Sequence, residues 1–378
     1  AVGYALLLTA CSPPLATTPT AAPQKPSPTQ PAPAAASAPT NAPAPKPAAT
    51  SGSAVSATDD ELGKVRTLYY EAAKPEGNLV IYGGGSPDQF GPVKTAFQQE
   101  FPGMTVDSVD QRGRETREKV LVEQQTKNFV ADLAITGTDT QASIIEAGAT
   151  EDYQSVFIDK VVPDLRPQYA TSSPYTASNY TIAINTTLVK PEDEPRSWKD
   201  VLDPKWKGKL ALDDPRGSGP GAYVLAAVEE VLGQDYTTEL AKQDVFIATQ
   251  AGPLWAALLR GERLMFLSSS HRDVITQKQQ GAPVKQIRPV EGIVFSPTPQ
   301  ALLRNAPHPN AAKLWIEWSL SKQGQQALAD NGYGPVRADV PVKFPEASLD
   351  EKLLPRQDTQ AAFAGLADRV KRWSSLFQ

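Results

Sequence analysis

The sequence predicts an α/β protein of two lobes. Apolar strand-like runs alternate with helical stretches, the alternation occurs in two separate cycles, and a low-complexity N-terminal stretch precedes both. Without that stretch roughly 320 residues remain, too many for one ordinary hydrophobic core.

The first cycle begins with Asn78-Leu-Val-Ile-Tyr82, a short buried strand, followed by the turn Gly83-Gly-Gly-Ser86 and a helix from about Pro87 to Phe101. Met104 to Val109 reads as the next strand and Glu115 to Thr126 as the next helix; Ala131 to Ile135 is a third strand, and Thr136-Gly-Thr138-Asp139 leads into a helix. This βαβαβ order implies a parallel sheet covered on both faces. The second cycle runs through a strand at Lys209 to Leu212, a helix from about Gly221 to Leu232, a strand at Val245 to Ala248 and a helix at Pro253 to Arg260. A strand at Leu264 to Leu267 and a helix beginning near His271 complete it. Neither cycle carries a nucleotide fingerprint.

Ahead of the lobes, Val2 to Leu8 is an apolar run too short to span a membrane, and Cys11 is the one cysteine of 378 residues. The chain opens without Met or a basic leader, so the expectation is a signal remnant over residues 1–11. Leu8-Thr9-Ala10-Cys11 resembles the bacterial lipobox, in which the cysteine becomes the acylated N-terminus. Residues 12–58 are mostly Pro, Ala, Thr and Ser, with Lys25 and Lys46 the only charges before Ala57, which predicts a disordered or polyproline-like linker. At ~3.1 Å per residue it could reach at most ~140 Å.

Composition excludes several function classes. The net charge is −5 without a Lys/Arg run, so nucleic acid is not an expected partner. Two histidines and one cysteine leave few ligands for a transition metal, and neither a metal nor a cofactor is expected. No H-E-x-x-H, P-loop or G-x-S-x-G elbow is present.

The turns indicate where a solute would sit. In open α/β sheets the ligand crevice lies beyond the carboxyl ends of the strands. There the chain places the Gly83–Ser86 turn, whose Ser86 fits a capping box with Gln89, the Gly217-Ser218-Gly-Pro-Gly221 turn, Thr136-Gly-Thr138 and Ser268-Ser269-Ser270. Free N–H groups at helix starts, with hydroxyls nearby, favour anions. Arg112 and Arg114 follow the second strand, with planar forks suited to phosphate or carboxylate. The predicted ligand set is Ser86, Arg112, Arg114, Thr138, Tyr180, Ser218, Ser269, Ser270 and His271, with Cys11 as the lipidation site and no catalytic residue.

From about Leu79 to Arg337 the chain resembles the extracellular solute-binding proteins of bacterial ABC importers, in the branch of ferric-iron, sugar-phosphate, phosphonate and thiamine binders. The resemblance rests on Tyr180-Thr-Ile-Ala-Ile-Asn-Thr186, Ser197-Trp-Lys-Asp-Val-Leu-Asp-Pro-Lys-Trp-Lys-Gly-Lys209, Ala306-Pro-His-Pro-Asn-Ala-Ala-Lys313 and Ser321-Lys-Gln-Gly-Gln325. It implies a type II periplasmic-binding-protein-like clamshell, two α/β lobes joined by crossover segments near Tyr180–Asn185 and Pro289–Phe295. The expected boundaries are 59–182 and 292–340 for lobe 1, 183–291 for lobe 2 and 341–378 for a helical tail whose apolar positions suit docking on a lobe. The resemblance further implies a monomer on the outer face of the cell membrane that delivers a solute to an importer permease. Ferric relatives carry adjacent tyrosines after a Gly-Glu step; counting from Gly261-Glu262 puts His271-Arg272 there, which suits an anion better than Fe³⁺. The expected function is therefore capture of a phosphorylated or carboxylated solute, with a ferric or ferric-chelate binder as the alternative and a hydrolase on the same fold as a second one.

Overall fold

The computed structural model describes residues 57–377 apart from Ser86, Arg112, Ser218 and Asp358. Its nine strands are β1 (Asn78–Gly83), β2 (Thr105–Val109), β3 (Leu133–Ile135), β4 (Ser173–Asn185), β5 (Leu210–Asp213), β6 (Phe246–Ala248), β7 (Met265–Ser270), β8 (Val284–Ile287) and β9 (Val294–Leu302). All belong to one sheet of order β2-β1-β3-β9-β4-β7-β5-β6, with β8 also paired to β4.

Two parallel arrays share that sheet. β1 pairs in parallel with β2 and β3, and β5 pairs in parallel with β6 and β7. Each strand leads into a helix that returns the chain to the same sheet edge, as parallel pairing requires. The arrays are joined through β4, thirteen residues long, whose first part runs antiparallel to β9 and whose last part runs antiparallel to β7 and β8. Tyr180 is the changeover, opposite Val294 on one side and Ser270 on the other.

Burial divides at the same place. One apolar cluster takes Leu79, Ile81, Phe90, Phe97, Leu133 and Tyr175 together with Trp315 and Trp318, which lie beyond β9. Trp315 stacks within 5.0–5.6 Å of Phe90, Phe97 and Trp318, so the aromatic knot fixes the helices Pro87–Glu100 and Pro309–Leu320 to one another. A second cluster gathers Ile182, Ile184, Trp198, Leu210, Leu212 and the apolar face of the helix Pro220–Leu232, with smaller clusters around Trp255 and Tyr82. Trp198 is fully buried and donates its Nε1–H to the Gly292 carbonyl at 3.0 Å, which ties the 197–209 segment to the chain entering β9.

Two helical segments frame these cores. At the N-terminal side, Ala57–Val65 continues through the π-helical turn Arg66–Tyr70 into Glu71–Ala73. Glu61 holds it in place, accepting from Lys322 N–H at 2.9 Å and from the buried guanidinium of Arg337 at 2.9 and 3.0 Å. At the C-terminal side the helix Gln360–Leu376 lies on the second cluster through Trp373 and Phe377. The expected docking of a tail helix thus has a definite partner. Buried Glu229 accepts from Trp373 Nε1 at 3.0 Å and pairs with Arg372 at 2.5 Å. Among the described residues no helix is long and apolar enough to cross a membrane.

Candidate functional site

An open cavity of about 250 Å³ lies at the carboxyl ends of β1, β2 and β3. Its floor is the turn after β1. Gly83, Gly84 and Gly85 all have positive φ, at 92°, 92° and 115°, and a Cβ on Gly83 would stand 2.0 Å from the Ile135 carbonyl oxygen. Only glycine can bring the backbone that close to β3. Gly137 stands at the N-cap of the next helix, Thr138–Glu146, with no side-chain cap bond, and lines the same cavity.

Hydroxyls and one cation complete the lining. Thr136, Thr176, Ser178, Thr298, Tyr175 and Tyr333 face the cavity, with Asp110, Gln111 and Arg272. Tyr333 donates its hydroxyl to the Gly84 carbonyl at 3.2 Å, while the Tyr175 hydroxyl is buried and has no hydrogen-bond partner among the described residues. Arg272 comes from the other half of the sheet, in the first turn of the helix His271–Gln279. Its guanidinium carbon stands 3.7 Å from the Tyr333 ring centroid, and its Nη2 is buried with no hydrogen-bond partner among the described residues. No carboxylate pairs with it among the described residues. Burial raises the Tyr333 phenol above its ordinary pKa, and the neighbouring Arg272 charge acts against that rise.

The predicted site residues scatter around this cavity. Ser86, Arg112, Ser218 and Cys11 lie outside the described residues. Ser270 sits at the sheet edge, where its Oγ accepts from Asp273 N–H at 3.1 Å and caps its own helix. Tyr180 is half-buried at the changeover of β4; burial pushes its phenol well above the usual range, with Tyr223, Asp273 and Asp213 adding to the shift. Asp213 is itself pushed up to about 6 by burial, against the hydrogen bond from Ser268 at 2.8 Å. Thr138 lines a different, apolar cavity with Leu165, Pro174, Pro297 and Pro299, and its hydroxyl is buried with no hydrogen-bond partner among the described residues.

Three predicted ligand residues face elsewhere. Arg114 points to solvent, its side chain 87% exposed, and donates Nε–H to Glu118 at 2.9 Å one turn along its own helix. Ser269 is fully buried because alternation along β7 turns it away from Ser268 and Ser270, and its hydroxyl donates to the Thr181 carbonyl at 3.1 Å. His271 is fully buried, and its Nδ1 accepts the Asn179 N–H at 3.2 Å. Burial first, and the Arg272 charge second, push its pKa down to about 3, so the ring is neutral.

Sequence reasoning therefore missed the cavity side of this helix by one residue. Arg272 stood in the sequence beside the residue chosen, and a helix opening at Ser270 must send successive side chains in different directions. Tyr175 and Tyr333 carried no local signal; they come from β4 and from the segment after the helix Lys322–Asp330, distant in sequence and brought together at a centroid distance of 6.1 Å. Among the described residues no cluster of three or more His, Cys, Asp or Glu side chains could hold a metal ion.

Comparison with known proteins gives this cavity its context. The family model described as bacterial extracellular solute-binding protein matches residues 128–360. An inferred 2-aminoethylphosphonate-binding periplasmic protein of Salmonella typhimurium is 26% identical over 253 residues, 63% of this chain and 71% of that protein. The periplasmic binding protein AfuA of Actinobacillus pleuropneumoniae, solved with fructose-6-phosphate bound, is 24% identical with a TM-score of 0.63, covering 77% of this chain and 97% of that one. Iron-bound HitA of Pseudomonas aeruginosa is 21% identical with a TM-score of 0.62, covering 79% of this chain and 98% of that one. The structural likenesses establish a shared bi-lobed fold.

Proposed function

The chain belongs to the bacterial extracellular solute-binding proteins, which bind a small molecule and deliver it to an ABC importer, and from that premise we propose that its solute is a small phosphorylated or carboxylated anion held between the lobes. Arg272 carries this reading. A guanidinium whose Nη2 is buried with no hydrogen-bond partner among the described residues, stacked on Tyr333 beside the positive-φ glycine turn, suits an oxyanion. The Tyr175 hydroxyl, buried with no hydrogen-bond partner among the described residues, adds a neutral donor in the same space.

In this reading lobe 1 comprises residues 59–182 and 292–340 and lobe 2 comprises 183–291, and the 341–378 tail ends in the helix Gln360–Leu376 on lobe 2. Arg272, from lobe 2, meets Tyr333, from lobe 1, so solute bound there touches both lobes and favours their closure. Acylation of Cys11 would hold the protein on the outer face of the membrane, with residues 12–58 as spacer; the protein acts as a monomer. Ferric ion, free or chelated, is the second reading, favoured by the two phenols Tyr175 and Tyr333 lining one cavity. The Arg272 charge beside them works against a bare cation. The hydrolase alternative loses His271 as its base, because that ring is sealed in the core.

Thermal-shift titration with phosphate, phosphonates, carboxylates and ferric salts tests the reading, with small-angle scattering on the stabilising compound. An anion should raise the melting temperature and reduce the radius of gyration. Arg272→Gln should weaken that binding by roughly ten- to hundred-fold, the loss expected for a charge-assisted hydrogen bond worth ~1.5–3 kcal/mol. Stabilisation by ferric ion alone, with a phenolate charge-transfer band, would replace the anion reading with the ferric one.

A further inference from the structure

Among the described residues the chain crosses between the lobes three times. β4 and β9 make the two crossings that a hinge needs. Residues 341–357 make a third, running from beyond the helix Lys322–Asp330, packed in the first apolar cluster, to the helix Gln360–Leu376 on the second.

The middle of this third crossing is joined to both of the others. Ile293, at the entry to β9, donates its N–H to the Lys352 carbonyl and accepts from Leu354 N–H, each at 2.9 Å, in a parallel bridge. A Cβ on Gly292 would stand 2.6 Å from the Lys352 carbonyl oxygen, so the two crossings touch backbone to backbone. Asn179, fully buried in β4, donates Nδ2–H to the carbonyls of Glu346 at 2.8 Å and Ser348 at 3.3 Å.

Its ends are fastened to opposite lobes. On lobe 2, Arg288 donates Nη2–H to the Ser348 carbonyl at 2.6 Å and pairs with Glu351 at 2.5 Å, while Lys278 of the helix His271–Gln279 pairs with Glu346. On lobe 1, Arg356 donates Nη1–H to the carbonyls of Asp164 at 2.9 Å and Arg166 at 2.8 Å. A segment bound to both lobes and to both strands between them cannot keep all these bonds when the lobes swing apart. The arrangement it holds is the one in which Arg272 of lobe 2 rests on Tyr333 of lobe 1.

We propose that residues 341–357 are a clasp across the hinge, which limits how far the lobes open in the absence of solute and keeps Arg272 beside Tyr333. Holding the two halves of a site together in advance lowers the cost of closing them on a solute. The inference rests on the lobe division proposed above and not on the nature of the solute.

Double electron–electron resonance on the solute-free protein tests it. Cys11 is the only cysteine, so on a Cys11→Ser background labels can be placed at Gln125→Cys on lobe 1 and Glu239→Cys on lobe 2, both exposed. With the clasp intact, one narrow distance distribution is expected. Arg356→Ala releases the lobe 1 anchor and Arg288→Ala the lobe 2 anchor. Each should raise the share of a second inter-lobe distance about tenfold or more, as loss of a charge-assisted bond implies. Unchanged distributions in both variants, with melting temperatures showing that they fold, would overturn the clasp. Hydrogen exchange on the unaltered protein decides the matter if a variant does not fold. The Ile293 and Leu354 amides should exchange as slowly as those of β4, and exchange as fast as that of exposed loops would overturn the clasp. The anion reading fails separately, if phosphate, phosphonates and carboxylates all leave the melting temperature unmoved.

Discussion

His271 and Arg272 are neighbours in sequence and opposites in environment. The imidazole is sealed, neutral, and occupied with the Asn179 N–H; the guanidinium faces a cavity with a donor to spare. A histidine whose pKa falls from 6.5 to about 3 on folding binds its proton more readily in the unfolded chain. Its contribution is therefore intact above pH 6.5 and lost as pH falls from there toward 3, amounting to about 2–3 kcal/mol near pH 4.5. Asp132, Asp213 and Glu317 have raised values and act in the opposite sense over the acid range, so the slope of the unaltered protein alone would not isolate His271. His271→Asn offers an amide oxygen in place of Nδ1 but cannot titrate. Its stability, measured by urea unfolding from pH 7 to 4.5, should fall less steeply than that of the unaltered protein by that amount. Parallel slopes would mean that the imidazole can be protonated in place.

Elements were legible where their own residues determined them. The strands β1, β3, β5 and β7 are short, largely apolar runs between turns, and burial on both faces gives them that composition whatever surrounds them. β9 was foreseen only as a crossover near its first residues, and it carries Pro297 and Pro299, residues that strands usually exclude. The sheet accommodates them beside β4, where Pro299 faces Pro174 across a register shift. The helical stretch from residue 57 to 73 gave little signal, since its stability comes from Glu61 reaching Arg337, a contact 276 residues away in the chain. The tail helix did announce itself, through apolar spacing, and Trp373 is its fully buried anchor. Trp373→Ala would open a cavity against the helix Pro220–Leu232 and leave Glu229 without its indole donor. A loss of about 3–5 kcal/mol is expected in chemical denaturation. A loss below about 1 kcal/mol would show that the tail helix is not part of the cooperative fold.

At the scale of the whole molecule, the two cycles of strand and helix sufficed to read a bi-lobed binding protein, since their order dictates parallel sheets and their number exceeds one core. The site was less legible, because a cleft between lobes is assembled from residues that no local pattern links: Gly85, Tyr175, Arg272 and Tyr333 come from four separate stretches. The N-terminal region presents the reverse case, with a local pattern that is plain and lies outside the described residues. Leu8-Thr9-Ala10-Cys11 and the Pro, Ala, Thr and Ser that follow propose a lipid anchor and a spacer. The chemistry makes that proposal quantitative. Each buried methylene contributes ~0.8 kcal/mol, so one acyl chain gives only reversible attachment while two or three give a stable one. Cys11 is the only thiol in the chain, so replacing it removes the acyl thioether and disturbs no disulfide. Full-length protein produced in a bacterium with its own lipoprotein machinery should therefore enter the detergent phase on phase separation. Cys11→Ser should stay in the aqueous phase or accumulate unprocessed, while solute binding by the lobes is unchanged. If both forms partition alike, Cys11 carries no lipid and the protein reaches its importer unanchored.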